Sequence, residues 1–250
     1  MRGSFYFGFD NLLIGETLTP SSEVSGFEAV NTTTWETYSA WQTTTAGAQT
    51  LTVDFGSAVS ADSFGVAGHN LFSTGSAVAL EHSPDGVTWT SAIGTVTPTT
   101  NEPIFRKFTS VSKRYWRFAF SSTSAFTIAN LFLGVAFQMP KPQNYGGKIA
   151  PYHKNHKAMY SRNRTGALLG RSLKYLGGQL TLSFSNMEST WVRSNWETLY
   201  GKLMSQAFYV AVDTANYPTE AAYAWVGDDV AGPQWKSSNL VDITLDLETL

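Results

Sequence analysis

The sequence predicts a mainly β protein. A jelly-roll β-sandwich is expected over residues 11–137, and a second β unit carrying one α-helix over residues 138–250. Three observations predict it. Short apolar runs alternate with polar residues and recur at intervals of roughly 8 to 15 residues with turn clusters between them. Aromatic residues make up 14% of the chain and there are 21 glycines, a balance that favours sheets and turns over helices. Helical periodicity is confined to one stretch, residues 186–206.

The elements follow in order. Residues 1–10 form an aromatic leader with Phe5, Tyr6, Phe7 and Phe9, expected as an edge strand or as a contact with a neighbouring subunit. Thr50–Gly56, Ser63–Ala67 and Ala77–His82 read as strands. Ser83-Pro84-Asp85-Gly86 is a turn, because Pro pre-sets φ and Gly accepts a positive φ, and Val87-Thr88-Trp89 resumes the sheet. Arg114–Phe120 and Ile128–Leu133 close the first unit. Two prolines, Pro140 and Pro142, mark the boundary after Phe137, since neither suits a central strand.

The second unit opens on a basic segment, 141–174, in which Lys141, Lys148, Lys154, Lys157, Arg162, Arg164, Arg171 and Lys174 occur with no acid among them. It reads as an extended arm. A segment with few aliphatics cannot offset its ordering entropy alone, so an acidic or aromatic partner is expected to supply the missing surface. Strand, helix and strand then follow. Leu180, Leu182 and Phe184 alternate with polar residues, and the spacing of Ser185 and Glu188 suits a capping box that would start the helix there. Val192, Trp196, Leu199, Tyr200 and Leu203 form one helical stripe, and Gly201 weakens the helix without ending it. Ala207–Val212, Ala221–Val226 and Leu240–Glu248 are strands, the last with Val241, Ile243, Leu245 and Leu247 inward.

Composition excludes several classes. There is no Cys, so neither a disulfide scaffold nor a thiolate metal site is available, which suits a reducing compartment. No signal-peptide pattern opens the chain and no apolar window approaches a membrane span, so a soluble protein without membrane insertion is expected. His153 and His156 lack a third ligand nearby for a metal; His69 has no paired Ser or carboxylate motif and reads as a structural group at a turn; Asp228-Asp229 lacks the spaced acids of a calcium loop. No catalytic residue, cofactor or metal is expected, and no enzyme. Tyr145, Tyr152, Tyr160 and Tyr175 interleave with the arm's cations as stacking on nucleic acid would require, but a pI of about 6.1 points to protein contacts. Trp89, Trp116 and Trp196 are expected in the core, whereas Trp35, Tyr38 and Trp41 lie in a Thr-rich loop that could form a platform for a sugar.

Two resemblances sharpen these expectations. Asn11-Leu12-Leu13, Gly26–Asn31, Trp35, Leu51–Gly56, Pro84–Trp89 and Arg114–Phe118 resemble the successive blocks of a discoidin (F5/8 type C, galactose-binding-like) jelly roll, and Ala67–Leu71 resembles the variant found in bacteriophage tail proteins. That resemblance implies ligands, often sugars or lipid head groups, at loops on one end of the sandwich. The order of elements over 138–250 resembles the tube-like or belt domain of tail-tube and distal tail proteins of long-tailed phages. It implies a tail-tip or baseplate protein of the virion, assembled in the host cytoplasm. The implied ring has six or three copies, contacts tail tube and hub, and is linked by the arm through Lys148, Lys154, Lys157, Arg162 and Arg164. The rival expectation is a carbohydrate-binding module or adhesin whose main task is recognition of host surface glycans.

Overall fold

The computed structural model of the chain describes residues 3–144, 152–214, 216–227 and 230–250. The first part holds β1 (Phe5–Gly8), β2 (Leu18–Pro20), β3 (Trp41–Gln42), β4 (Gly47–His69), β5 (Ala77–Ser83), β6 (Thr90–Val96), β7 (Ile104–Ser122) and β8 (Thr127–Gly134). The second holds β9 (Phe137–Gln138), β10 (Lys154–Arg162), β11 (Leu168–Glu188), α1 (Ser189–Ser205), β12 (Phe208–Val212), β13 (Ala221–Val226), β14 (Gln234–Trp235) and β15 (Leu240–Thr249). The protein is mainly β with a single α-helix among the described residues, arranged as two antiparallel sheets.

The first sheet runs β3-β8-β4-β7-β5-β6, with β2 on β4. The runs expected as separate strands at 50–56 and 63–67 are one strand, β4, bent where its register with β7 shifts between Asp54 and Val59 and again between Ala61 and Ser63. Such shifts sharpen twist and let one strand serve both layers of a sandwich. Its two halves then face one another across a single core that joins Leu51 and Val53 to Phe64 and Val66, with Trp41, Trp116 and Phe118 between. The turn at 83–86 forms as its residues dictate: Asp85 Oδ1 accepts from the amides of Val87 and Thr88, both at 2.9 Å, and Gly86 has φ of 75°.

The second sheet runs β10-β11-β15-β13-β12-β1-β9. The leader is therefore neither an edge nor a free contact. β1 lies inside this sheet, Phe5 opposite Val212 on one side and Phe7 opposite Phe137 on the other. The reason is burial: Phe5 and Phe7 are fully enclosed in the core beneath α1, with Phe184, Phe208 and Leu203. The chain passes from one sheet to the other between Gly134 and Phe137, where the Ala136 amide donates to Asp62 Oδ1 at 2.8 Å. Pro140 and Pro142 are exposed, but Met139 and Gln143, which flank the pair, are buried.

The helix begins at Ser189, later than the capping-box spacing implies. β11 continues through a bulge between Phe184 and Met187, with Asn186 at φ 56°, and Glu188, at the N-cap, makes no side-chain capping bond. Ser185 instead accepts from Asn144 Nδ2 at 2.5 Å. The expected stripe holds: Val192, Leu199 and Leu203 are buried, with Trp196 and Tyr200 packed at its margin. Of the tryptophans expected in the core, Trp116 is fully buried; Trp89 and Trp196 are half-buried, and Arg117 lies over the Trp89 ring at 4.1 Å.

β12 explains how the two sheets meet. Phe208, Val210 and Val212 point into the core under α1, while Tyr209 and Ala211 point the other way, against Ala67, Phe105 and Phe132 of the first unit. A strand apolar on both faces belongs between two layers.

Candidate functional site

The loop bearing Trp35 is built from a 3-10 turn at Ala29–Thr33, in which Thr32 Oγ1 donates back to Ala29 O at 2.8 Å. Its far side is held by the rest of the molecule. Asn130 Nδ2 donates to Thr34 O at 2.6 Å, and the Tyr223 hydroxyl, from the second sheet, donates to Trp35 O at 2.8 Å. Trp35 is 51% exposed and Tyr38 is 89% exposed, so both rings face solvent from a loop with a fixed backbone. Trp41 is not with them. It is fully buried, edge-on to Phe126 at 5.5 Å, and its indole donates to Ser22 O at 3.0 Å, which removes it from the expected sugar platform.

Behind this loop lies a buried polar pair. The Tyr209 hydroxyl donates to Asn130 Oδ1 at 2.8 Å, so Asn130 ties Tyr209 of the second sheet to the Trp35 loop of the first unit. Burial pushes the hydroxyl pKa of both Tyr209 and Tyr223 well above the usual phenol range, which keeps both as donors.

The basic segment is a second feature of interest. It is not an extended coil: β10 and the first part of β11 pair as a β-hairpin, Lys154 opposite Gly178 and Arg162 opposite Leu168. Its turn is set by Asn163, whose Oδ1 accepts from the amides of Thr165 and Ala167 at 3.1 and 2.8 Å, and by Gly166 at φ 88°. β15 joins β11 only from Gly178 onward, so residues 154–177 form a two-stranded arm, about 30 Å long at a strand's rise per residue. Residues 159–174 are all exposed. Register places Tyr160 opposite Arg171 and Ala158 opposite Leu173, so Tyr160, Leu169 and Leu173 share one face, each more than half exposed.

The arm's cations are unequally placed. Lys154, at the base, pairs with Glu102 at 2.6 Å, Arg162 donates to Gly166 O, and Arg171 lies 5.8 Å from the Tyr160 ring. Lys157 and Arg164 are exposed and make no ion pair among the described residues. Lys148 and Tyr145 lie outside the described residues, as do Asp228 and Asp229.

Among the described residues no group of three His, Asp or Glu side chains is gathered as a metal would require, and no helix is long and apolar enough to cross a membrane. His69 is a structural group. Its Nε2 donates to Glu102 O at 3.0 Å while its Nδ1 accepts from the Leu71 amide at 3.3 Å, which fixes a neutral tautomer, and burial lowers its pKa to about 4.

No family model matches the sequence, and no curated protein sequence matches it. Solved structures do resemble part of the fold. Chitosan-binding module 1 from a chitosanase/glucanase of Paenibacillus sp. IK-5 is 21% identical with a TM-score of 0.43, over 50% of this chain and 98% of the module. The module CpGH89CBM32-5 from Clostridium perfringens, solved with GalNAc-β-1,3-galactose, is 18% identical with a TM-score of 0.41, over 47% of this chain and 94% of its own. A Ruminococcus gnavus GH29 fucosidase, solved with fucose, is 13% identical with a TM-score of 0.44, over 51% of this chain but 27% of the enzyme. At these identities and scores the likeness is one of fold and reaches no residue of a binding site.

Proposed function

We propose that the protein is a non-catalytic structural subunit that assembles with copies of itself through the β10–β11 arm and carries the sandwich outward from the assembly. The observation that carries this reading is the arm itself. Two strands with no third strand beside them are marginally stable in water. Here they also expose Tyr160, Leu169 and Leu173 on one face, and Lys157 and Arg164 make no ion pair among the described residues. A neighbour that covers that face and offers acids would offset both costs, and a head-to-tail contact repeated about an axis closes a ring.

The setting proposed is the tail tip or baseplate of a long-tailed phage, in a ring of six or three copies touching tail tube and hub. That specification rests on the resemblance in order of elements over 138–250. The test is native mass spectrometry of the full chain beside a variant in which residues 157–173 are replaced by Asn-Gly. The full chain is expected as a closed oligomer, and the variant as a monomer that still unfolds cooperatively, its circular dichroism reduced only by the strand content of the deleted hairpin. A full chain that stays monomeric at tens of micromolar, or a variant that still closes, would sink the proposal.

A second reading, glycan recognition as the main task, is favoured by a different observation. Trp35 and Tyr38 present exposed rings from a loop whose backbone is fixed by Asn130 and Tyr223, as a preorganised sugar platform requires. The two readings are compatible, because the arm and the loop are separate surfaces.

A further inference from the structure

Arg106, on β7, is unlike the other arginines of its sheet. Arg114 and Arg117 each grip a carboxylate, Asp54 at 2.6 Å and Glu81 at 2.5 Å. Arg106 has none. One terminal nitrogen donates to Phe105 O at 3.0 Å and to Pro218 O, while its Nε and its other terminal nitrogen make no hydrogen bond among the described residues. The guanidinium is half-buried, and desolvation pushes its pKa down without removing its charge. Those remaining donors are not among the buried unsatisfied atoms, so they are open to a ligand that enters from outside.

Those donors lie on a cleft. Arg106, Thr97, Thr99 and Thr219 line a space of about 90 Å³, which shares Thr100, Glu102 and Pro103 with an adjoining cleft of about 230 Å³ that Lys154 borders. Among the described residues Glu102 is the one side-chain carboxylate lining this groove, and it is engaged by Lys154 at 2.6 Å, which leaves the charge of Arg106 unanswered at its own end. Threonine hydroxyls and a proline face suit sugar hydroxyls and ring carbons, and a guanidinium fork suits a carboxylate.

We propose that this groove binds an acidic sugar, its carboxylate held by Arg106 and its hydroxyls by the threonines of the 97–100 rim and Thr219. Its lining includes neither Trp35 nor Tyr38, and it does not depend on assembly through the arm. The full chain is titrated with galacturonate, galactose and acetate by calorimetry, beside Arg106→Gln, Arg106→Lys and, as a charge control, Arg171→Gln. Galacturonate is expected to bind with a dissociation constant tighter than about 10 mM. Arg106→Gln should weaken it at least about tenfold, the loss of one charge-assisted contact, with Arg106→Lys between and Arg171→Gln unchanged. Should Arg106→Gln fail to fold, amide shifts of the wild-type chain on titration decide, and they should cluster at the non-proline residues of 97–106 and at Thr219. No galacturonate binding, unchanged binding in Arg106→Gln, or shifts elsewhere would overturn the site; equal affinity for galactose or acetate would overturn the acidic sugar as its ligand.

Discussion

Tyr209→Phe isolates one hydroxyl at the meeting of the two sheets. The ring stacks on Phe105 with centroids 5.8 Å apart, lies 5.5 Å from Phe132 and 4.9 Å from Tyr223, and Phe would keep all three contacts. What disappears is the donor to Asn130 Oδ1, at 2.8 Å, in a place where Tyr209 is 1% and Asn130 4% exposed. Water has little access to replace it, so the cost is that of an unsatisfied buried acceptor, about 1–3 kcal/mol rather than the few tenths of a surface hydroxyl. For a chain of this size that corresponds to a drop in Tm of roughly 3–10 °C. Urea unfolding followed by tryptophan fluorescence measures it. A double-mutant cycle with Asn130→Ser separates the pair from the rest of the residue and is expected to show a coupling above about 0.5 kcal/mol. The same substitution should speed amide exchange at 32–35, because Asn130 also holds Thr34 O. A loss of stability under about 0.5 kcal/mol together with zero coupling would refute the account of this junction.

Two further outcomes are expected. His69 has a folded pKa of about 4 against an ordinary 6.5, so its contribution to stability is whole above pH 6.5 and drains away as pH falls from 6.5 towards 4, by roughly 3 kcal/mol in all; urea midpoints should show this slope and His69→Gln should flatten it, whereas an unchanged slope assigns it elsewhere. For the Trp35 loop, a glycan array probed with an assembled multivalent form is expected to give binding that Trp35→Ala and Tyr38→Ala each abolish, and no binding by the wild-type form would leave the loop without a glycan role.

What the sequence discloses and what it hides divide along one line, the reach of the interaction. Period-two runs such as Leu180, Leu182 and Phe184, and the stripe from Val192 to Leu203, declare their faces locally, and the sheets and helix follow from them. The Asn163 to Gly166 turn was also readable, as a side-chain acceptor followed by a left-handed glycine, and would have turned the arm into a hairpin. Local composition could not separate Trp41 from Trp35: one is drawn inward by Phe120 and Phe126, some 80 residues on, and the other is not. β1 gives no sign of its partner, since Phe5 meets Val212 across more than 200 residues. Arg106 is equally silent, because Pro218 completes its surroundings from a distant segment. At the start of α1 the local signal was present and lost, since the bulge that carries Asn186 to Asp242 takes up the residues a capping box would have used.

The position of β1 has a consequence for how such a chain is made and remade. The backbone leaves the second sheet at Gly8 and rejoins it at Phe137, on the very next strand, so the sandwich is a cassette inserted between two neighbours about 4.8 Å apart. Such a cassette can be exchanged for another, or for a short turn, without redrawing the sheet that hosts it. Translation sees the same arrangement differently. Phe5 and Phe7 leave the ribosome some 200 residues ahead of Val212 and Val210, a wait of roughly 10–40 s at ordinary elongation rates, and the cassette has time to fold while the strand that anchors it is still without a partner.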